Sequence, residues 1–258
     1  ALHEQLLVQH KILDNVQGAL ARGELRLYLQ PKVHLTDGSV FGAEALVRWI
    51  HPELGFVPPN DFIPLLEKEG TIYPVDQYIW EQACKVLHIR QELGLPLHSI
   101  SVNVARSDFY QPDLLDVLLR LLDKYQLQPS QLRLEVLERA YVQDSTRLFE
   151  VLTQLRSHGF SIEMDDFGVG ESSLAMLANM PVDTIKLDRQ FLVTAEGNPR
   201  HIEVIRCIIQ LAKALNIGII AEGVETPEQA QMLLRLGCYH AQGYLYGRPE
   251  PAENFLKK

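Results

Sequence analysis

Runs of apolar residues typical of buried strands alternate with helical patterns along most of the chain. After an opening helix, strand patterns lie at 25–33, 39–49, 99–104, 132–138, 160–165, 182–188, 217–223 and 240–245. Helical patterns lie between them at 59–69, 76–93, 112–124 and 144–158, after Ser172, and at 200–215 and 227–235. Strands that alternate with helices pair in parallel through crossover connections. Eight such strands in 258 residues predict an α/β fold, a closed TIM-like (β/α)8 barrel in one domain rather than an open sheet.

The first two strand patterns are separated by Asp37 and Gly38. An Asp-Gly pair between two strands is a typical hairpin turn. The first strand should therefore run antiparallel to the second, which predicts a modified barrel.

Composition narrows the class of ligand. The chain is 47% hydrophobic and 22% charged, as in ordinary globular proteins. Its net charge of −9 provides no general positive field for a DNA or RNA polymer. A small anionic ligand would need local positive charge.

Cysteine usage and hydropathy bear on the compartment. The three cysteines show no C-x-x-C spacing, which argues against a disulfide framework and a cysteine zinc site. No apolar run approaches the roughly 20 residues that cross a bilayer. We expect a cytoplasmic location. Because the chain begins at Ala1, we also expect a domain excised from a longer parent, which could carry a membrane anchor.

Polar side chains fall at or near the ends of seven predicted strands. They are Glu44, Asn103, Glu135, the pair Asp165 and Asp166, Lys186, Glu222 and Gln242. Any one of them alone is more simply explained as a strand-end residue that bonds to a loop or caps a helix. Chemistry in such barrels occurs at the carboxyl ends of the strands, however, so these side chains should converge.

Five converging carboxylates would repel one another unless a cation lies between them. Carboxylate and amide oxygens select a hard ion, Mg²⁺ or Mn²⁺, with Ca²⁺ less easily excluded. None of the nine histidines forms an H-x-x-x-H pair, which argues against zinc. For Lys186, two interpretations remain open. It is either a structural ion-pair partner of these carboxylates, or a group that orients or helps deprotonate a water and offsets anionic charge.

At these residues the sequence resembles the EAL-domain phosphodiesterases of bacterial cyclic di-GMP signalling. The resembling motifs cover nearly the whole chain in order. They are LYLQPKV at 27–33, EALVRW at 44–49, HPELGFVPPNDFIPLLE at 51–67, VNV at 102–104, LEVLE at 134–138, DDFGVGESSL at 165–174, PVDTIKLDRQF at 181–191, AEGVET at 221–226 and QGYLYGRP at 242–249. The resemblance implies a barrel with an antiparallel first strand, formed by residues 23–258. Residues 1–22 would be a helix that leads from an upstream region.

The resemblance also implies roles for individual residues. Metal ligands would be Glu44, Asn103, Glu135, Asp165, Asp166 and Glu222. Lys186, Glu222 and Glu44 would be catalytic, Glu138 would brace the loop after the fifth strand, and Arg48, Gln242, Gln30 and Pro249 would bind substrate. The implied reaction is hydrolysis of cyclic di-GMP to linear 5′-pGpG by water activated by two Mg²⁺ or Mn²⁺ ions. A homodimer and upstream regulatory domains are also implied.

The sequence departs from the family around that loop. Leu137 stands where the family usually has Thr, and Val169 and Glu171 stand where it usually has Thr and Tyr. The lost hydroxyl at 137 removes one hydrogen bond, worth about 0.5–1.5 kcal/mol. An alternative function therefore stays open: a weak or inactive domain that acts as a cyclic di-GMP receptor or regulatory interaction module.

Overall fold

A computed structural model describes residues 12–13, 15–96, 98–143, 145–168 and 174–257. Its strands form one sheet that closes into a barrel. The barrel strands are β1 (Leu25–His34), β2 (Val40–His51), β4 (Ser99–Asn103), β5 (Leu132–Leu137), β6 (Ile162–Phe167), β7 (Thr184–Leu187), β8 (Gly218–Ala221) and β9 (His240–Gln242). From β2 to β9 each barrel strand pairs in parallel with the next. The predicted TIM-like barrel is confirmed.

The first strand runs antiparallel to both of its barrel neighbours, as predicted. It pairs with β2 from Leu25↔Trp49 to Val33↔Val40 and with β9 at Lys32↔Gln242. In the connecting turn Gly38 has φ +72°, and its amide donates to the carbonyl of His34 at 2.8 Å. Asp37 Oδ1 accepts from the amide of Ser39 at 2.9 Å, which stabilises the turn.

Two short strands extend the sheet beyond the barrel. They are β3 (Gly55–Val57), which pairs with the end of β2, and β10 (Glu250–Pro251), which pairs with β1. Because its pairing with β1 and β3 continues, β2 runs on to His51. Glu44, which the sequence pattern placed at or near the end of a strand, therefore lies inside β2. Only the parallel pairing with β4 stops at Glu44.

The last barrel strand is shorter than the predicted 240–245, and Gly243 gives the reason. A Cβ at Gly243 would lie 2.1 Å from the carbonyl oxygen of Val224. The two backbones approach this closely because Val224 donates to the carbonyl of Gln242 at 3.1 Å and accepts from the amide of Leu245 at 3.0 Å. These bonds turn the chain away from the barrel.

Helices surround the barrel. They are α1 (12–13 and 15–22), α2 (Pro59–Lys68), α3 (Tyr73–Glu92), α4 (Leu114–Lys124), α5 (Ala140–Gln143), α6 (Ser145–Ser157), α7 (Leu174–Asn179), α8 (Arg189–Ala195), α9 (Pro199–Ala214), α10 (Pro227–Leu236) and α11 (Ala252–Phe255). The helix α10 begins with a capping box: Thr226 Oγ1 accepts from the amide of Gln229 and Gln229 Oε1 accepts from the amide of Thr226, both at 3.2 Å. Among the described residues, no helix combines the length and apolar character that a membrane crossing requires.

The buried apolar residues form two clusters. The larger lies inside the ring of helices, where the outward side chains of the strands meet α3, α4, α6, α9 and α10. The smaller one joins Ile12, Val16 and Ala19 of α1 to Trp49 and Phe62, among others. The described part of the N-terminal helix thus packs on the domain, and residues 1–11 lie outside the described residues. The boundary at residue 23 stays a prediction.

Candidate functional site

The carboxyl ends of the parallel strands carry a cluster of carboxylates around one ammonium group. Lys186, on β7, has no exposed surface. Its Nζ lies 2.8 Å from Glu222 Oε1, 3.0 Å from Asp165 Oδ1, 3.1 Å from Glu135 Oε1 and 3.3 Å from Glu44 Oε2. The structure therefore brings together side chains from four strands (β2, β5, β6 and β7) and from the segment after β8. We call Glu44, Glu135, Asp165, Asp166, Glu222 and Lys186 the rim cluster.

The adjacent aspartates both reach this cluster because the backbone turns between them. Successive residues of a regular strand point to opposite faces of the sheet. Asp166 breaks this alternation: its φ is +55°, a left-handed conformation that aspartate adopts more readily than most residues. The amide of Asp166 donates to Asp165 Oδ1 at 3.0 Å, and the pairing of β6 with β7 shifts at this point. Both carboxylates consequently face the rim.

Burial and mutual repulsion change the proton affinity of the rim cluster. Burial, with the charge of Asp165 adding to it, raises the pKa of Glu222 to about 8. The same two causes raise the pKa of Asp166 to about 6. Burial raises the pKa of Glu135 well above its usual value, and the charge of Glu44 adds to the effect. Burial alone would lower the pKa of Lys186, but the surrounding carboxylates raise it well above its usual value. Lys186 is therefore a fixed positive charge.

The rim cluster fits a divalent cation. Oxygens of Glu44, Glu135 and Asp165 lie within 4.8 Å of one another, as do oxygens of Asp165, Asp166 and Glu222. Glu135 supplies a further indication. Its Oε2 is buried and has no hydrogen-bond partner among the residues that the structure describes. A buried carboxylate oxygen without a partner is costly, and a metal ion would satisfy it.

Asn103 lies beside the rim cluster at the end of β4, with an exposed side chain. Its backbone carbonyl accepts from Trp80 Nε1 at 2.9 Å, which fixes the strand end. The side chain lines a neighbouring cleft with Arg48 and Asp76. Its role as a metal ligand stays a prediction.

Two glutamines connect the rim cluster to the reversed first strand. Gln242 Nε2 donates to Glu44 Oε2 at 2.5 Å and to Gln30 Oε1 at 2.9 Å. Gln30 Nε2 in turn donates to the carbonyl of Gly247 at 3.1 Å. Both glutamines line the opening above the carboxylates, so they are placed to contact a ligand there.

The remaining predicted substrate-binding residues are spread more widely. Arg48 lines the cleft that contains Asn103, while its Nη1 donates to the carbonyl of Val47 at 2.8 Å. Pro249 is half-buried and directly precedes β10. Sequence reasoning missed Arg189, which lines the opening above the rim cluster and pairs with Glu225 at 3.1 Å. Arg189 begins a short helix, α8, that the sequence pattern did not predict.

The loop after β6 is partly described. Glu138 is buried, and its Oε2 accepts from the amide of Gly168 at 2.8 Å. This contact is what the predicted bracing role requires. Leu137 lines the cleft with Arg48 and Asn103. The two departures at Val169 and Glu171 lie outside the described residues.

A second set of buried polar and charged side chains lies one layer deeper in the barrel, and sequence reasoning missed it. Its members are Lys32, Ser101 and Glu163, with Arg133 at its edge. The signal was periodicity. Lys32 follows Gln30 by two residues, as Ser101 precedes Asn103 and Glu163 precedes Asp165, so all three side chains face inward with the predicted site. We call Lys32, Ser101 and Glu163 the lower layer.

Comparisons with known proteins point to one family. A family profile described as EAL domain matches residues 13–249. RocR from Pseudomonas aeruginosa, named a cyclic di-GMP phosphodiesterase, is 40% identical over 248 residues, which cover 95% of this chain and 62% of RocR. MucR from the same organism, named a bifunctional diguanylate cyclase/cyclic di-GMP phosphodiesterase, is 38% identical, with 96% of this chain and 36% of MucR covered. This chain thus spans about a third to two thirds of these relatives.

Solved structures have the same barrel. A PaMucR phosphodiesterase structure, titled as a c-di-GMP complex, superposes with a TM-score of 0.89 at 38% identity, covering 95% of this chain and 99% of that one. The EAL enzyme Bd1971, titled as bound to cAMP and cyclic di-GMP, gives a TM-score of 0.91 at 35% identity, covering 98% of this chain and 69% of that one.

Proposed function

The chain belongs to the EAL domain family, and from that premise we propose that it is a metal-dependent phosphodiesterase that hydrolyses cyclic di-GMP to linear 5′-pGpG. The observation that carries this proposal is the rim cluster. Five carboxylates surround one lysine at the carboxyl end of the barrel, and one buried oxygen, Glu135 Oε2, is left without a described partner. A purely structural barrel has no need of this arrangement.

Glu44, Glu135 and Asp165 would hold one cation, and Asp165, Asp166 and Glu222 a second, with Asn103 beside the first. When bound, Mg²⁺ or Mn²⁺ would supply positive charge to the phosphodiester and lower the pKa of a water. The rim cluster selects these ions through its all-oxygen donors.

Lys186 would act as a fixed hydrogen-bond donor. Its pKa lies well above the usual value because carboxylates surround it, so the ammonium keeps its proton at neutral pH. Such a group stabilises negative charge on a phosphoryl oxygen and orients a water. It is a poor base. Within a functional role for Lys186, the raised pKa supports electrostatic stabilisation over proton abstraction.

The substrate would lie across two adjoining clefts that share Leu46. Gln30, Gln242 and Arg189 line the first, over the rim cluster. In the second, Arg48 and Arg139 offer positive charge to a phosphate, while Ile63 and Pro59 form an apolar wall suited to a base. These local cations would allow a chain of net charge −9 to bind a dinucleotide dianion.

The test incubates the purified chain with cyclic di-GMP and Mn²⁺ or Mg²⁺ and follows 5′-pGpG by chromatography. We expect product that depends on the added metal and disappears with EDTA. Glu44→Ala is the inactive comparison. Glu53→Ala is the matched control, because Glu53 is an exposed glutamate in the turn between β2 and β3. Full activity of Glu44→Ala would show that the metal site is assigned wrongly.

The second candidate function is a cyclic di-GMP receptor that does not hydrolyse its ligand, and the leucine at position 137 favours it. That side chain lines the substrate cleft without the hydroxyl that the family usually has there. The same assay separates the two functions when it is combined with equilibrium binding. Intact binding of cyclic di-GMP with no product in either metal would establish the receptor and exclude the enzyme.

A further inference from the structure

The lower layer contacts the rim cluster through a single carboxylate. Lys32 is 1% exposed, and its Nζ donates to Glu163 Oε2 at 2.5 Å, to Ser101 Oγ at 2.6 Å and to Glu135 Oε1 at 2.8 Å. Three partners satisfy its three donor hydrogens. Lys32 is therefore held in one position, directly beneath Glu135.

The two oxygens of Glu135 have different surroundings as a result. Oε1 lies between two ammonium groups, with Lys32 Nζ at 2.8 Å and Lys186 Nζ at 3.1 Å. Oε2 is buried and has no partner among the described residues. Anchoring Oε1 from below leaves Oε2 as the oxygen that is free for a cation.

Glu163 keeps Lys32 in place. Its Oε2 accepts from Lys32 and, at 2.9 Å, from Ser101 Oγ, while its Oε1 lies 3.0 Å from Arg133 Nη1. Glu163 makes no described hydrogen bond or ion pair with the rim carboxylates. A buried ion pair is weak evidence for stability, since apolar residues of similar volume often do as well. The lower layer therefore calls for an explanation other than stability.

We infer that Lys32 is a positioning residue that fixes the Glu135 carboxylate so that the rim cluster binds a divalent cation. This inference rests on the proposed function, because it assigns Lys32 to the same metal site. It differs from the role of Lys186, which touches four rim carboxylates and belongs to the proposed catalytic group. Lys32 acts through Glu135 alone.

The test measures Mn²⁺ affinity by calorimetry, with the metal alone and no substrate. Lys32→Met removes the anchor but leaves Glu163 buried beside Arg133, so Lys32→Met combined with Glu163→Gln is made as a charge-neutral variant. Residues that orient metal ligands typically contribute 10- to 100-fold in affinity. We expect the double variant to unfold cooperatively and to bind Mn²⁺ at least about 10-fold more weakly than the wild type.

Glu163→Gln alone is the matched control. It weakens the lower layer but keeps an acceptor for Lys32, and thus leaves the bond from Lys32 to Glu135. We expect its Mn²⁺ affinity to stay within about 3-fold of the wild type, even where its melting temperature falls. In turnover assays the double variant should need more Mn²⁺ for half-maximal rate, with little change in KM for cyclic di-GMP.

Each outcome has a distinct meaning. Equal Mn²⁺ affinity of the wild type and the double variant overturns the role of Lys32 and leaves the proposed function intact. An equal loss in Glu163→Gln and in the double variant also overturns it, because general loosening of the barrel would then be the cause. A wild-type chain that binds neither Mn²⁺ nor Mg²⁺ overturns the proposed metal site, and the role of Lys32 with it.

Discussion

Carboxylates crowd together in two regions of this molecule, and the two regions relieve their repulsion differently. At the rim, an ammonium group contacts four carboxylates. Between α3 and the 3₁₀ helix Arg106–Tyr110, Asp76 lies within hydrogen-bonding range of Asp108, which has no exposed surface. Burial raises the pKa of Asp108 to about 6. Burial also raises the pKa of Asp76 well above its usual value, and the charge of Asp108 adds to this.

The two regions differ in the number of carboxylates that meet and in what offsets their repulsion. The rim cluster faces an open cleft and brings two sets of three carboxylate oxygens within 4.8 Å of one another, beside an ammonium group. In the Asp76–Asp108 pair only two carboxyls meet, their raised pKa values favour one shared proton, and Asp108 Oδ2 accepts from the amide of Ala105 at 3.1 Å. Crowded carboxylates alone therefore do not identify a metal site. The two regions differ in how many carboxylates converge and in whether an ammonium group lies among them.

The largest effect should come from removing the ammonium group of Lys186 from the rim cluster. In Lys186→Met, four carboxylates lose their common partner, and a fixed donor is lost from the proposed site. We expect turnover of cyclic di-GMP to fall by about 10²- to 10³-fold or more. The rate of 5′-pGpG formation at saturating Mn²⁺ measures the loss. A variant that retains full turnover would show that Lys186 is only a structural ion-pair partner.

The response of stability to metal comes next. A ligand present at 100 times its Kd stabilises the folded state by about 2.7 kcal/mol. We expect Mn²⁺ to raise the free energy of unfolding of the wild type by that amount and that of Glu44→Gln by much less. Denaturant unfolding with and without Mn²⁺ measures both. Equal stabilisation of the two proteins would place the metal away from Glu44.

The stability contributed by the Asp76–Asp108 pair should respond to pH. The pKa values of both carboxyls are raised in the folded state. Above about pH 4 these two groups therefore bind more protons in the folded state than in the unfolded state. The contribution to stability is therefore full near pH 4 and falls as the pH rises through 6 and beyond.

Asp76→Asn tests this pair, because the amide keeps a donor for Asp108 at every pH. At about pH 8 we expect the variant to be more stable than the wild type by about 1–2 kcal/mol, with the difference vanishing near pH 4. Urea unfolding across this range measures the difference. Parallel pH profiles of the two proteins would show that the pair binds no extra proton.

The smallest effect should come from Leu137, which lines the same cleft as Asp76 and Asn103. Leu137→Thr restores a hydroxyl at the position that pairs with Asp165 across β5 and β6. We expect the free energy of unfolding to change by about 1 kcal/mol or less and turnover to rise only a few-fold. A gain of several orders of magnitude would instead favour the receptor function for the natural sequence.

Much of the architecture was predictable because it follows local rules. Strand and helix periodicities gave the barrel, and the Asp37-Gly38 turn gave the reversed first strand. The rim residues were predictable because barrel strands end at one face. The turn that brings Asp166 to the rim was not, since it depends on a left-handed φ that the sequence pattern does not specify.

The lower layer was missed for a different reason. Lys32 and Glu163 lie in strand patterns that otherwise indicate a packed apolar interior, and charged residues are rarely buried without a partner. Their partners come from other strands, separated by 131 residues in the chain for Lys32 and Glu163. Only the closed barrel brings them into contact.

The reversed first strand also determines where the polypeptide enters the barrel. An all-parallel barrel would receive its first strand at the mouth opposite the carboxylates. Here β1 starts on the rim side, where Leu25 pairs with Trp49. Just before it, Glu24 Oε2 accepts from Trp49 Nε1 at 3.0 Å, next in the chain to Arg48. The helix that precedes β1 therefore joins the barrel on the same side as the rim cluster, beside the cleft that Arg48 lines.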